Sequence, residues 1–281
     1  MVKLLKILLF GLFFSLLFGS CATGKSQRTK KEKIPFKSFV QVKYESYRKV
    51  CTPKDPKNYD SPCYEKMGVG SGSGVIFAHS IEGSYIMTAA HVCDAERIPA
   101  WMALYSMPEE EKRLLEQSLV KVLYVHDFDY YTHKMEVVDF ERKTDLCVGH
   151  AWGLFDKPIK LSKRGPRRGE KVINIAAPGG FFAPRTVPVL DGRFSGNTIF
   201  RRDHWRAVYT VPAIGGSSGS PIMTSRGKLV GMISAAHVRF HHISISPTHK
   251  DIVRFLIDTI NADIRSKKKN KNGEVKRPNL F

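Results

Sequence analysis

The run from Ile214 to Pro221, Ile-Gly-Gly-Ser-Ser-Gly-Ser-Pro, narrows what this chain can be more than any other stretch. A serine flanked by small residues, just ahead of the apolar pair Ile222 and Met223, has the look of an exposed nucleophile on a tight turn. Glycine on both sides lets the backbone take conformations closed to other residues and lets a substrate carbonyl come close. The backbone N–H groups of Gly216 and Ser218 could then point at one developing oxyanion. Alone, the run is equally an ordinary turn, because Gly/Ser stretches are common in loops.

Two further stretches shift that balance. Tyr85 to Ala89 is an apolar, strand-like run ending in a small-residue corner that carries His91, and Thr144-Asp145-Leu146-Cys147-Val148 takes an aspartate into an apolar run. His91, Asp145 and Ser218 follow one another at spacings of 54 and 73 residues. That is the chain order of the chymotrypsin arrangement of base, orienting acid and nucleophile. Asp127, Asp129 and Asp139 are rivals for the aspartate, but none precedes a matching Leu-x-Val run.

With T-A-A-H at His91, T-D-L-x-V at Asp145 and G-x-S-G-S-P at Ser218, the chain resembles the trypsin-like serine proteases, most closely their bacterial HtrA-like and glutamyl-endopeptidase-like branches. Gly72-Ser73-Gly74-Val75-Ile76 is similar to their G-S-G-x-I segment. The segment from Gly169 to Gly179 resembles a second one and departs from it at Ala176, where the pattern has glycine. The resemblance covers residues 38–262. It implies an all-β fold of two six-stranded antiparallel Greek-key barrels, near 38–155 and 156–250, with a closing helix over 248–262. It leaves no room for the PDZ domain of the full HtrA plan. It also implies an endopeptidase working through an acyl-enzyme, with no cofactor and with protein or peptide as substrate.

Under that resemblance His91 is the base, Asp145 holds the imidazole tautomer, and Gly216 and Ser218 form the oxyanion hole. Ser217 stands where digestive relatives carry an aspartate that pairs with a newly cut N-terminus, so that route of activation is closed. Pro212 occupies the place of trypsin's acidic selector, which argues against cleavage after Arg or Lys. Ile214, Ile243 and Ser244 suggest a small or medium apolar pocket, and Ser234, Ala235 and Ala236 should run beside the substrate backbone. His237, His241 and His242 leave a preference for Glu or Asp open. The i, i+4 pair His237 and His241 has no helix or carboxylate to support a metal, so no metal is expected. The rival reading from another class is an idle barrel that binds peptides or anionic polymers.

Residues 1–21 read as an export signal, with Lys3 and Lys6 ahead of an apolar run from Ile7 to Phe18 that is short for a membrane span. Phe18-Gly19-Ser20-Cys21 resembles a bacterial lipoprotein box, Cys21 being the residue to be acylated, with Phe18 where leucine is usual. A basic spacer (22–37) and a basic tail expected to be disordered (263–281) flank the body. The net charge of +19, or +17 without Lys3 and Lys6, suggests anionic surfaces as partners, the membrane among them. No nucleic-acid motif accompanies the charge, and no oligomeric state follows from it. At 42% hydrophobic and 25% charged residues the body is globular.

Disulfides are allowed in an exported chain. Cys51 and Cys63 enclose a Pro/Asp/Asn-rich loop and are expected to staple it. Cys93 and Cys147 each lie two residues after a triad member, and whether they bond stays open. Expected strands include 39–47, 70–77, 84–89, 119–125 and 135–140 in the first barrel. In the second they are 171–177, 185–190, 207–211, 220–223, 228–234 and 242–246. Residues 103–117 read as a solvated helical insert, and Phe181 and Phe182 either touch substrate or pack in the core.

Overall fold

Six strands carry the first half: β1 (Phe39–Lys49), β2 (Tyr64–His79), β3 (Gly83–Ala89), β4 (Leu119–His126), β5 (Thr132–Glu141) and β6 (Leu146–Trp152). In the computed structural model, which describes residues 33–95, 108–200 and 204–270, they close into an antiparallel barrel of order β1-β2-β3-β6-β5-β4. β3 is buried at every position. Its Ile86 and Met87 join a core that runs through Phe39, Ile76 and Leu146 into the second half at Ile173 and Met223. Burying a side chain of this size contributes about 1.5–3 kcal/mol.

The second half holds β7 (Lys160–Leu161), β8 (Lys171–Ile175), β9 (Val189–Phe200), β10 (His204–Tyr209), β11 (Pro221–Thr224), β12 (Lys228–Met232), β13 (Ala235–His237) and β14 (Phe240–Pro247). They form one sheet of order β13-β14-β10-β9-β8-β11-β12-β7. Six longer strands make its body, and the short β7 and β13 are added at the two edges, β7 in parallel register with β12. The Met232 N–H donates to Ser246 Oγ and the Ser234 N–H to the Ile245 carbonyl, which curls the end of β12 round to β14. The chymotrypsin-like fold implied by the resemblance is present as a closed six-stranded barrel plus a second sheet. That sheet is not the closed six-stranded barrel expected but has eight strands, the short β7 and β13 forming its edges.

The expected strand at 185–190 begins only at Val189 and then runs on to Phe200. Pro184 and Pro188 lack ladder donors, and Arg185 sits at φ 56° in a turn closed by the Ala183–Thr186 bridge. Three helices complete the fold: α1 (Ala90–Cys93), α2 (Glu109–Ser118) and α3 (His249–Asn270). α2 is the solvated insert, with only Leu115 buried among its apolar residues. The α3 start is capped by Thr248, whose Oγ1 accepts from the Asp251 N–H and donates to the Asp251 carboxylate. Ile252, Phe255, Leu256 and Ile260 face the core, and Ile264 is buried as well. The helix therefore continues past residue 262 into the basic segment expected to be disordered. The leader with Lys3, Lys6 and Cys21, the spacer up to residue 32, residues 103–107 of the insert and tail residues 271–281 lie outside the described residues.

Candidate active site

Register brings the first pair together. Ala89, the last residue of β3, lies opposite Leu146, the first of β6, so His91 and Asp145 stand just beyond adjacent strand ends. The Ala90 N–H donates to the Asp145 carbonyl at 3.1 Å, and the His91 N–H to Asp145 Oδ1 at 3.0 Å. The His91 ring nitrogen Nδ1 lies 2.9 Å from Oδ2 and 3.0 Å from Oδ1 of the same carboxylate. Ser234 Oγ donates to Asp145 Oδ2 at 2.6 Å. Burial works against the Asp145 charge, but the bonds from His91 and Ser234 together outweigh it and hold the carboxyl below its ordinary range. Asp145 has φ 62°, a left-handed conformation that aspartate tolerates better than most residues. None of the rival aspartates reaches His91: Asp127 pairs with His133, Asp129 with Arg185, and Asp139 accepts from Thr259.

The pair is clamped three ways. Cys93 and Cys147 form a disulfide with Cα atoms 6.7 Å apart, joining the end of α1 to β6. Next to it, Arg142 grips the buried Asp94 carboxylate through Nε at 2.6 Å and Nη2 at 3.0 Å. From β10, the Arg206 guanidinium donates to the carbonyls of Lys143 and Thr144, each at 2.7 Å, fixing the turn that carries Asp145. Cys51 and Cys63 form the second disulfide, as expected. Replacing Cys93 and Cys147 by alanine should cost more stability than the same change at Cys51 and Cys63, because the bridges span 54 and 12 residues. Loop-closure entropy puts the two costs at about 4 and about 3 kcal/mol. Urea unfolding measures both, and the reverse order would contradict the account.

The turn bearing Ser218 is held from the first barrel. Gly219 has φ 89°, and a Cβ there would lie 2.0 Å from the Ser73 carbonyl and 3.0 Å from the Ala89 N, so only glycine lets this turn lie against the end of β3. The Ser73 N–H donates to the Ser218 carbonyl at 2.7 Å, and Ser73 Oγ to the Gly216 carbonyl at 2.9 Å. The Gly215 carbonyl accepts from the Gly179 N–H. Gly216 is at φ 88°, where a Cβ would collide with the Ala177 carbonyl. With both carbonyls turned away, the N–H groups of Gly216 and Ser218 have no acceptor among the described residues. Ser217 is fully buried and receives the Ile214 N–H at its Oγ, a local bond in place of an ion pair. No hydrogen bond joins Ser218 Oγ to His91; contacts of this kind are often long in free enzymes and tighten with substrate in place.

Beside Ser218 opens a cavity of about 320 Å³ walled by Ala213, Ile214, Ile233, Ala235, Ala236 and Val238. Its lining includes Gly215, His237 and His241 but no carboxylate. Of the residues expected there, Ile214, Ala235 and Ala236 line it, whereas Pro212, Ser234, Ile243 and Ser244 do not. Ser234 turns to Asp145 instead, and Ser244 is buried opposite Ala236 in the β13–β14 ladder. β13 is an edge strand with β14 as its sole partner in the sheet, so one side of its backbone is open to an extended peptide. Phe181 and Phe182 divide the two expected roles: Phe181 is exposed, and Phe182 is buried against Phe39. Ser73, Arg142, Asp94 and Arg206 had no role in the sequence reading. Only the G-S-G segment around Ser73 carried a signal.

A family model described as the trypsin-like peptidase domain matches residues 72–232. Among solved structures, the active form of the Rv3671c protease from M. tuberculosis superposes with a TM-score of 0.52 at 15% identity, covering 78% of this chain and 79% of that one. An inactive serine-to-alanine form of the same M. tuberculosis protein gives 0.52 at 14% identity, over 80% and 87% of the two chains. At these identities the likeness is one of fold. No curated protein matches the chain.

Proposed function

The chain belongs to the trypsin-like peptidase family, and on that premise we propose that it is an exported serine endopeptidase using His91, Asp145 and Ser218. The observation that carries this reading is Asp145 bonded to the His91 ring, across from a turn whose Gly216 and Ser218 N–H groups are free to donate. A serine hydroxyl is a poor nucleophile at neutral pH and needs a positioned base. As Ser218 Oγ bonds to the substrate carbonyl carbon, its proton passes to His91 Nε2. Asp145 keeps the His91 Nδ1 proton in place and offsets the imidazolium charge. The carbonyl oxygen, now an oxyanion, takes the two free N–H groups. Collapse breaks the C–N bond, and His91 returns the proton to the leaving amine. Water then hydrolyses the acyl-enzyme by the same route.

Export is supported by the leader sequence and by two disulfides, which suit an oxidising compartment. Acylation of Cys21 would tether the chain to the membrane. The apolar walls beside Ser218, without a carboxylate, fit a medium apolar residue before the cut bond and disfavour Arg or Lys. His237 and His241 in the same lining favour an acidic residue as the second reading.

A fluorophosphonate probe should label Ser218, as located by peptide mapping, and His91→Ala should abolish that labelling. A peptide-library digest should show cuts mainly after Val, Leu, Ile or Met. Cuts mainly after Glu or Asp would assign selection to the histidines. Neither labelling nor cuts would favour an idle peptide-binding barrel.

A further inference from the structure

Away from the Ser218 cleft, the far edge of the second sheet carries a dense positive surface. The segment from Lys160 to Lys171 contributes six cations, and the β11–β12 turn adds Arg226 and Lys228. Contacts make these one surface. Lys228 and Lys160 are neighbours in the parallel β12–β7 pair. The Ser162 carbonyl lies 3.0 Å from His249 Nε2, which brings the start of α3 and Lys250 alongside. Arg193 Nη1 donates to the Gly169 carbonyl at 2.8 Å. The acidic groups here are already engaged: Glu170 by Arg164, Asp191 by Lys171, and Asp251 by Thr248. Lys160, Lys163, Arg167, Arg168, Arg226 and Lys228 have no carboxylate within ion-pair distance among the described residues.

A second, independent observation says what this surface meets. The Lys33 N–H donates to the Ser225 carbonyl at 3.3 Å. Gly227 packs so tightly on the Lys33 carbonyl that a Cβ there would lie 2.2 Å from it. The polypeptide leading back to the apolar leader and Cys21 therefore leaves the described residues at the β11–β12 turn, beside Arg226 and Lys228. Eleven residues, 22–32, separate Cys21 from Lys33, and a chain of that length reaches at most about 40 Å. A tether through the N-terminus would thus start from the β11–β12 turn, on this face.

We propose that the surface formed by Lys160–Lys171, the β11–β12 turn and the start of α3 docks on anionic lipid headgroups and orients the domain on the membrane. Each Lys or Arg near an anionic bilayer adds attraction that fades within a Debye length, so several unpaired cations on one face act together. Lys228 opens β12, and Ala235 of the cleft lies seven residues further along, on the order of 20 Å at the rise of an extended chain. Docking at one end of β12 leaves the β13 edge clear for substrate. The Ser218 chemistry plays no part in docking, so a negative result leaves the peptidase reading standing.

The test is a lysine acetylation footprint of the full chain on two kinds of vesicle, phosphatidylcholine alone and phosphatidylcholine with about 30 mol% phosphatidylglycerol, at about 0.15 M salt. Lys160, Lys163, Lys228 and Lys250 should react at least about five-fold more slowly on the anionic vesicles. Lys54 and Lys57 of the first barrel should be unchanged, and about 0.5 M NaCl should erase the difference. Arg167→Gln with Arg168→Gln should restore the reactivity of Lys160 and Lys228 while the melting temperature stays put. If that pair fails to fold, Lys160→Gln with Lys228→Gln, read at Lys163 and Lys250, serves the same purpose. Equal rates on the two vesicles, or equal slowing at Lys54 and Lys57, would overturn the proposal. Equal protection by a single-stranded oligonucleotide in place of vesicles would assign the face to nucleic acid and overturn the lipid reading.

Discussion

Ser218→Ala is expected to leave a folded protein that cleaves peptides about 10^5-fold more slowly than its parent, or about 7 kcal/mol of barrier. The substitution removes one oxygen, and every hydrogen bond that shapes the turn is made by other groups. The Ser218 carbonyl accepts from the Ser73 N–H, the Gly216 carbonyl from Ser73 Oγ, and the Gly219 N–H donates to the Ile233 carbonyl. None of these involves Ser218 Oγ, so unfolding free energy should move by less than about 1 kcal/mol. Residual cleavage above the uncatalysed rate should survive, because the Gly216 and Ser218 N–H groups still meet a developing oxyanion and the cleft still holds substrate. Steady-state kinetics on one peptide from the library digest, with a urea melt of the same preparation, measures both quantities. A rate within ten-fold of the parent would remove Ser218 from the nucleophile role.

How much could be read ahead of the structure depended on what kind of force set each feature. Strands in the first barrel were legible as short runs rich in β-branched, aromatic and other apolar residues, as in β1 and β4, although neither is buried at strictly alternate positions. β3, buried throughout, was legible as a bounded apolar run. Val189 to Phe200 was misplaced because Pro184 and Pro188 mark a turn whose extent the pattern does not show. The run of α3 beyond residue 262 was hidden by its own charge, since Lys267 to Lys269 look like a solvated tail while Ile264 still packs on the core. In the candidate site, His91, Asp145 and Ser218 carry local motifs, because their chemistry needs particular neighbours in sequence. The groups that hold them do not. Ser73, Arg206 and the Asp94–Arg142 pair act across 48 to 143 residues of sequence, and their partners are main-chain carbonyls or a lone carboxylate. Ser234 was expected in the strand 228–234 beside the substrate, but it lies between β12 and β13 and its side chain points to Asp145. Strand pairing and direction decide that, and neither is written in local spacing.

Asp145→Asn should lower kcat by about 10^4 with little change in the fold. Asparagine, like aspartate, accepts the left-handed turn that Asp145 occupies at φ 62°, so the backbone has no reason to move. The hydrogen-bond arithmetic changes instead. Oδ1 accepts from the His91 N–H and Oδ2 from Ser234 Oγ, and His91 Nδ1 lies within 3.0 Å of both. An amide can keep one of these acceptors and must turn the other into a donor. If the NH2 group faces Nδ1, the imidazole carries its proton on Nε2 and cannot accept one from Ser218. If it faces Ser234, the Ser234 hydroxyl loses its acceptor. The parent's stability should also respond to acid in a way the variant's does not. The Asp145 pKa is lowered in the folded state, burial opposing the charge while the bonds from His91 and Ser234 together prevail. Its contribution is therefore fully present above the ordinary carboxylate range of about 4 and is lost as pH falls through the lower folded-state value. The stability gap between parent and Asp145→Asn should narrow as pH is taken below about 4, which urea melts at a series of pH values would record. A gap that stays constant, together with kcat within ten-fold of the parent, would mean that Asp145 neither holds its charge for His91 nor sets its tautomer.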